Sequence, residues 1–217
     1  MPHKFAEIAF TEHVQDEQTR HRSRRQYERV QRLGPDNDRF GPDEKSFIDS
    51  RDGMYLATVS ETAWPYVQFR GGPKGFLRVL DEQTLGFADF RGNRQYITVG
   101  NLRTNDRVAL FLMDYPSRTR LKILGEAELR EAAMDPELLK RLTVPGYGAT
   151  VERAVLIHVA AFDWNCQQHI TPRWTREEIA EAMEPVHQRV TELEAENAAL
   201  RQQLERFALP GSADHSV

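Results

Sequence analysis

This sequence predicts a mainly β fold: a small closed or partly closed antiparallel barrel with flanking helices and a C-terminal coiled-coil-like helix. Three observations point to it. Between Met54 and Phe162, short runs rich in β-branched and aromatic residues alternate with turn residues. Helical periodicity is largely confined to the two ends. The strands, six or so, follow one another at short spacing, as in small barrels that manage their edges by closing.

Residues 1–41 read as an N-terminal helical arm. Phe5, Ile8, Ala9 and Glu12 fall at loose helical spacing, and Thr19 to Arg32 is strongly basic, as expected of a surface helix laid on the body. Gly-Pro pairs at Gly34-Pro35 and Gly41-Pro42 punctuate the chain. Pro42, followed by Asp43 and Glu44, starts a short helix through Ser50, because proline at the first helical position gives up an N–H that has no partner there anyway.

The body spans 42–173. Met54–Val59 and Tyr66–Arg70 form a hairpin about Glu61–Pro65, and Gly71–Gly75 is a loop or bulge. Strands follow at Phe76–Leu80, Thr84–Phe90, Arg107–Asp114, Arg120–Leu129 and Ala154–Phe162, with a short helix expected at Asn93–Leu102.

From 174 to 209 the period becomes a heptad. Met183, Val190, Asn197 and Leu204 take the a positions, and Val186, Leu193 and Leu200 take d. Arg189 and Glu196 at g meet Glu194 and Arg201 at e of a parallel partner, and an asparagine at a is a device for fixing register. The alternative is an amphipathic helix packed on its own barrel. Pro185 caps or kinks the helix, so a zipper starts after it, and 210–217 is a tail.

Charge excludes some functions. A formal net charge of -4 argues against a dedicated nucleic-acid binder. No window reaches the roughly 18 apolar residues of a membrane span, and Met1–Phe10 lacks the order of a secretory signal, so a cytoplasmic protein without membrane partner is expected. The lone Cys166 rules out an intrachain disulfide, and no Cys/His spacing suggests a metal. Within this acidic chain, Arg70 to Lys122 carries ten basic residues against five acidic ones. That excess suggests a local anion site, or a solvated face with scattered counter-charges.

The most informative stretch is Leu85 to Tyr96. A strand ends, Gly92 permits a turn, and Asn93 is a favoured N-cap with Arg94 in the first turn, an arrangement able to hold a phosphate. An Asn-capped helix with a solvated arginine is the plainer reading. Arg70, Arg78, Arg120 and Lys122 add cations on or beside strands, where several could grip one anion. Near the end of the body, Trp164 offers a π face, Asn165 and Gln168 offer amides, and His169 is able to move protons near neutral pH. For Cys166 and His169 a buried small hydrophobe and a satisfied structural histidine are the plainer readings.

Tyr66-Val67-Gln68-Phe69, Gly86 to Gln95, Asn105 to Leu110 and Arg118 to Gly125 resemble, in order and spacing, the blocks of the pyridoxamine 5'-phosphate oxidase-like, FMN-binding split barrels. The resemblance spans about Pro42 to Leu129, and more loosely reaches Arg173. It implies a six-stranded split barrel forming a homodimer, with FMN in a groove shared by the subunits and a small-molecule electron donor or acceptor. The family's Gly-Ser-Arg-Lys phosphate turn falls on Gly92, Asn93, Arg94 and Gln95, and the tyrosine and threonine of its preceding strand fall on Ala88 and Asp89. Its arginine-to-lysine strand falls on Gln68 and, beyond the inserted Gly-Gly-Pro loop, on Arg78; its glutamine near the isoalloxazine falls on Arg120. Two family cations have thus become Gln68 and Gln95, with Arg70, Lys74, Arg120 or Lys122 to compensate, and Trp164 is expected beside the flavin.

The chain departs from the oxidase proper, whose Arg/His/Trp-rich end that handles pyridoxamine phosphate is not found. It carries instead Asp163 to Arg173, similar to a subgroup of flavin-nucleotide-binding proteins. The resemblance therefore implies an FMN-dependent oxidoreductase other than the vitamin-forming enzyme. Alternatives are a flavin carrier or sensor without turnover, or a barrel for haem or a deazaflavin.

Overall fold

The computed structural model describes residues 3–164 and 168–208. The chain divides into two compact units, one ending at Thr171 and the other beginning at Pro172.

In the first unit the arm forms α1 (Lys4–Ala9), α2 (Glu12–Arg20) and α3 (Arg24–Leu33). It is tied to the body by backbone bonds such as Phe162 N–H to Asn37 O, 2.7 Å. Next, α4 (Pro42–Asp49) begins on its proline, and Glu44 reaches back to accept from the Gly41 N–H at 2.9 Å. Ile48 is the residue α4 buries.

Seven strands follow, one more than the six expected: β1 (Gly53–Val59), β2 (Pro65–Gly71), β3 (Leu77–Asp81), β4 (Thr84–Phe90), β5 (Arg107–Asp114), β6 (Thr119–Glu131) and β7 (Val151–Trp164). Each expected run is a strand of its own, so the count rises. They form one antiparallel sheet in the order β2-β1-β5-β6-β7-β4-β3, which leaves β2 and β3 as unpaired edges. The sheet is therefore an open, split barrel. Period-two alternation puts Met54 and Leu56, then Val108, Leu110 and Leu112, then Leu121 and Ile123 into one buried core.

Two short helices complete this unit. The sequence suggests a helix from Asn93, but α5 spans only Ile97–Asn101. The reason is local: the Asn93 Oδ1 accepts from Gln95 N–H at 3.1 Å, closing an Asx turn, and Tyr96 then adopts a left-handed φ of 54°. A helix not foreseen, α6 (Pro136–Leu142), starts on Pro136 behind the cap of Asp135, whose Oδ1 accepts from Leu138 N–H at 3.0 Å. Its Leu142 packs with Ala88 and Ala154. This is why β4 is buried on both faces.

The second unit is one long helix, α7 (Arg176–Ala208), which runs through Pro185.

Candidate functional site

On β2 the alternation that buries apolar side chains in other strands turns polar. Tyr66, Gln68 and Arg70 point inward while Val67 and Phe69 stay exposed. These inward residues, with Asp89 and Phe90 at the end of β4, the 92–96 loop, the first residues of α5 and Glu152 on β7, line an open cleft of about 170 Å³. An adjoining hollow of about 210 Å³ shares Gln68, Arg70 and Asp89 with it. Each by itself falls below the roughly 300–1,000 Å³ of a complete small-molecule pocket.

Side-chain bonds fix the floor. The buried Thr98 donates to Gln68 Oε1 at 3.0 Å, and the buried Asn101 donates to Thr58 Oγ1 at 2.9 Å, so α5 is fastened to β2 and β1 together. Asp89, 5% exposed, accepts from Arg70 at 2.6 Å and from Arg153 at 3.0 Å. That triad joins β2 at one sheet edge to β4 and β7 near the other, bridging the split where no backbone ladder does.

The wall is a second network. Register along β4 and β7 slips at Asp89/Phe90: Asp89 faces Arg153 and Phe90 faces Val151, so Glu152 is the extra residue of a bulge. Bulges re-aim side chains, often beside functional sites. Here Glu152 accepts from Tyr96 Oη at 3.0 Å and Arg91 Nε at 3.1 Å, while Arg94 Nε donates to Tyr96 Oη at 3.3 Å. Arg153 lies over the Tyr96 ring, 5.5 Å from its centroid. Burial alone would push the Glu152 carboxyl up. The Tyr96 and Arg91 hydrogen bonds, with the Arg153 and Arg91 charges, outweigh it and hold the carboxyl below the usual range. The Arg94 guanidinium is raised, chiefly by its bond to Tyr96.

Of the sequence-selected residues, the cleft brings together Gln68, Arg70, Asp89, Asn93, Arg94 and Gln95. The others lie elsewhere. Arg78 donates to Gly75 O at 3.0 Å and lines a different hollow with Lys45 and Arg141. Ala88, buried beside α6, lines the adjoining hollow and not the cleft itself. Arg120 lies over the Phe111 ring at 5.8 Å. Lys122 is paired with Asp163 at 2.7 Å and caps the Phe5 ring. Trp164, expected beside a flavin, donates its indole N–H to Glu44 at 2.8 Å and meets the Phe47 ring edge-on at 4.9 Å. His169 is exposed at a turn, with a left-handed φ of 61°. Asn165 and Cys166 lie outside the described residues. Sequence reasoning missed Tyr66, Tyr96, Thr98 and Glu152. Only Tyr66 and Tyr96 carried a signal, as aromatics flanking residues already chosen.

The donor set fits a phosphorylated aromatic ligand. Guanidinium and amide donors (Arg94, Asn93, Gln95, Gln68) gather in one cleft beside the rings of Tyr66 and Tyr96 and the apolar Ile97 and Val99. Its two carboxylates are both already engaged by arginines. Arg70 also keeps a buried Nε without a hydrogen-bond partner among the described residues.

A family model described as pyridoxamine 5'-phosphate oxidase matches residues 40–165. No protein of curated function matches the sequence. Among solved structures, HupZ of Group A Streptococcus is similar at 19% identity, covering 62% of this chain and 99% of that one, with a TM-score of 0.46. An FMN-binding protein from Syntrophomonas wolfei is similar at 16% identity over 56% of this chain and 83% of its own, TM-score 0.42. General Stress Protein 26 from Bacillus anthracis is similar at 18% identity over 60% and 93%, TM-score 0.39.

Proposed function

Because the chain belongs to the pyridoxamine 5'-phosphate oxidase family, we propose that it binds FMN in the cleft between β2, β4 and the 92–96 loop and serves as an oxidoreductase. The observation that carries this reading is Arg94. Among the described residues its only hydrogen bond is one to a tyrosine hydroxyl, and it stands exposed at the mouth of a cleft whose other charges are paired. Arg94, with the amides of Asn93 and Gln95, would hold the phosphate. Gln68, oriented by Thr98, would present an amide to the ligand's polar edge. Bound there, FMN would supply two-electron acceptance and one-electron release. Tyr96, held by Glu152, Arg94 and Arg153, would keep the loop in place and shield the anion from water.

Two copies would complete the site. Neither hollow alone reaches ligand-pocket size, and beside the cleft Val67, Phe69 and Tyr55 stay exposed at 60%, 58% and 39%. A homodimer burying that strip would supply the missing walls of a shared groove.

A second reading, a flavin carrier or sensor without turnover, is favoured by one observation. Asp89 and Glu152, the carboxylates of the cleft, are both held by arginines, so neither is free to move a proton. The haem or deazaflavin alternative lacks a comparable observation in its favour.

The test is an absorbance spectrum of freshly purified protein, followed by anaerobic mixing with NADH or NADPH. Flavin bands that bleach support the oxidoreductase, and flavin bands that persist support the carrier. A colourless protein that takes up no FMN on incubation overturns both.

A further inference from the structure

The chain's second unit presents an apolar seam that its own residues leave uncovered. Along α7, Val186, Val190, Leu193, Leu200, Leu204 and Phe207 are 46–82% exposed. With Asn197 between Leu193 and Leu200 they alternate at three and four residues, the spacing that keeps one stripe on one side of a helix. Phe207 falls seven residues after Leu200 and so extends the d series by one position.

We propose that α7 pairs with α7 of a second copy of this chain as a parallel, in-register, two-stranded coiled coil from Val186 to Phe207. Three features commit the seam to that occupant. The first is Asn197, at an a position in the middle of the stripe. Buried opposite a leucine, its amide would lose its hydrogen bonds; only in a parallel, in-register pair does it meet its own copy across the axis. The second is flanking charge. Glu196 at g and Arg201 at e have no ion-pair partner among the described residues, and in a parallel pair they face each other across the seam. Arg189 at g now bonds Glu192 of its own helix at 2.9 Å and is one rotamer change from the partner's Glu194. The third is length. Pro185 removes one backbone donor at the start, and the 22 residues beyond it span about 33 Å, three full heptads. The homodimer proposed above has a two-fold axis, and a parallel pair shares that symmetry; the zipper itself rests on the helix alone.

The full chain carrying Cys166→Ser is compared in two further variants, Asn197→Cys at a and Ala195→Cys at the outward f position, under glutathione redox buffer. A disulfide-linked dimer at 197 and little at 195 is expected, since a-to-a thiols lie within bonding reach only when the helices run parallel and in register. No link at 197, or equal links at both positions, overturns the proposal. Asn197→Ile in the otherwise native chain gives an independent reading: a melting transition moved upward, with higher oligomers beside the dimer in sedimentation. An unchanged melt and unchanged sedimentation overturn it as well. FMN uptake, followed by absorbance on the same samples, is expected to be equal in all of them, so failure of the zipper and failure of the flavin reading are told apart.

Discussion

Removing Asp89 should unfasten the barrel. The carboxylate is 5% exposed and accepts from Arg70 at 2.6 Å and Arg153 at 3.0 Å; these two side chains are themselves 18% and 10% exposed. Asp89→Ala takes away two charge-assisted bonds and leaves two guanidinium groups facing each other with little water between them. Breaking a buried pair this way costs about 3–5 kcal/mol, more than either bond is worth singly, because Arg70 is left with no carboxylate partner among the described residues and Arg153 keeps only longer contacts to Glu131 at 3.6 Å and Glu152 at 3.7 Å. For a unit of this size that corresponds to a fall of roughly 6–20 °C in melting temperature. The assay is urea and thermal unfolding of the variant beside the parent. Asp89→Asn, which keeps the shape and one acceptor, should fall between them. Replacing all three members by Met, Leu and Leu should restore stability to within about 1 kcal/mol of the parent, since apolar side chains of similar volume carry no desolvation cost. A loss below about 1 kcal/mol for Asp89→Ala, or a triple variant no better than the single one, would refute the claim that this triad bridges the split.

Other outcomes follow from the same structure. Arg94→Ala should raise the Kd for FMN by roughly ten- to a hundredfold, measured by fluorescence quenching of the free flavin, and leave the melt of the flavin-free protein unchanged. Glu152 has its carboxyl held low in the folded state. Its contribution is therefore complete above the unfolded value of about 4.3 and is lost as pH falls through the lower folded value. Protection in residues 91–96, that is, exchange measured against each amide's intrinsic rate at the same pH, should fall across that acid window in the parent, and Glu152→Gln should flatten the dependence. Gly125→Ala should destabilise by about 1–3 kcal/mol in urea, because its new Cβ would stand 2.5 Å from His158 O and 2.9 Å from Ile157 Cγ2.

The strands were legible because each is a short period-two run ended by turn residues, and α4 because Pro42 and its acidic first turn mark a helix start. The 93–96 turn misled for a physical reason. Asparagine serves equally as a helix cap and as the head of an Asx turn, and the hydrogen bond to Gln95 N–H decided for the latter. The start of α6 was marked by Asp135-Pro136, a cap followed by a first-turn proline, and could have been read. Half of the chosen cleft residues cluster in sequence, Asn93 to Gln95, and were found from the turn that ends the strand and its match to the family's phosphate turn. Those placed elsewhere were lost through long-range pairing: Trp164 finds Glu44 and Lys122 finds Asp163, partners no local pattern announces. Glu152 was invisible because it reaches the cleft only through a slip of register, and a slip leaves no periodic trace.

Arg70 both lines the cleft and ties β2 to Asp89, so the two duties cannot be altered independently. A protein with this layout that drifts toward a new ligand has little freedom at its floor, where any change also loosens the closure. The 92–96 segment is different: exposed, left-handed at Arg94 and Tyr96, and bound to the body mainly through Glu152. Divergence in what such proteins accept should therefore accumulate in that segment, while the fastener beneath it stays the same.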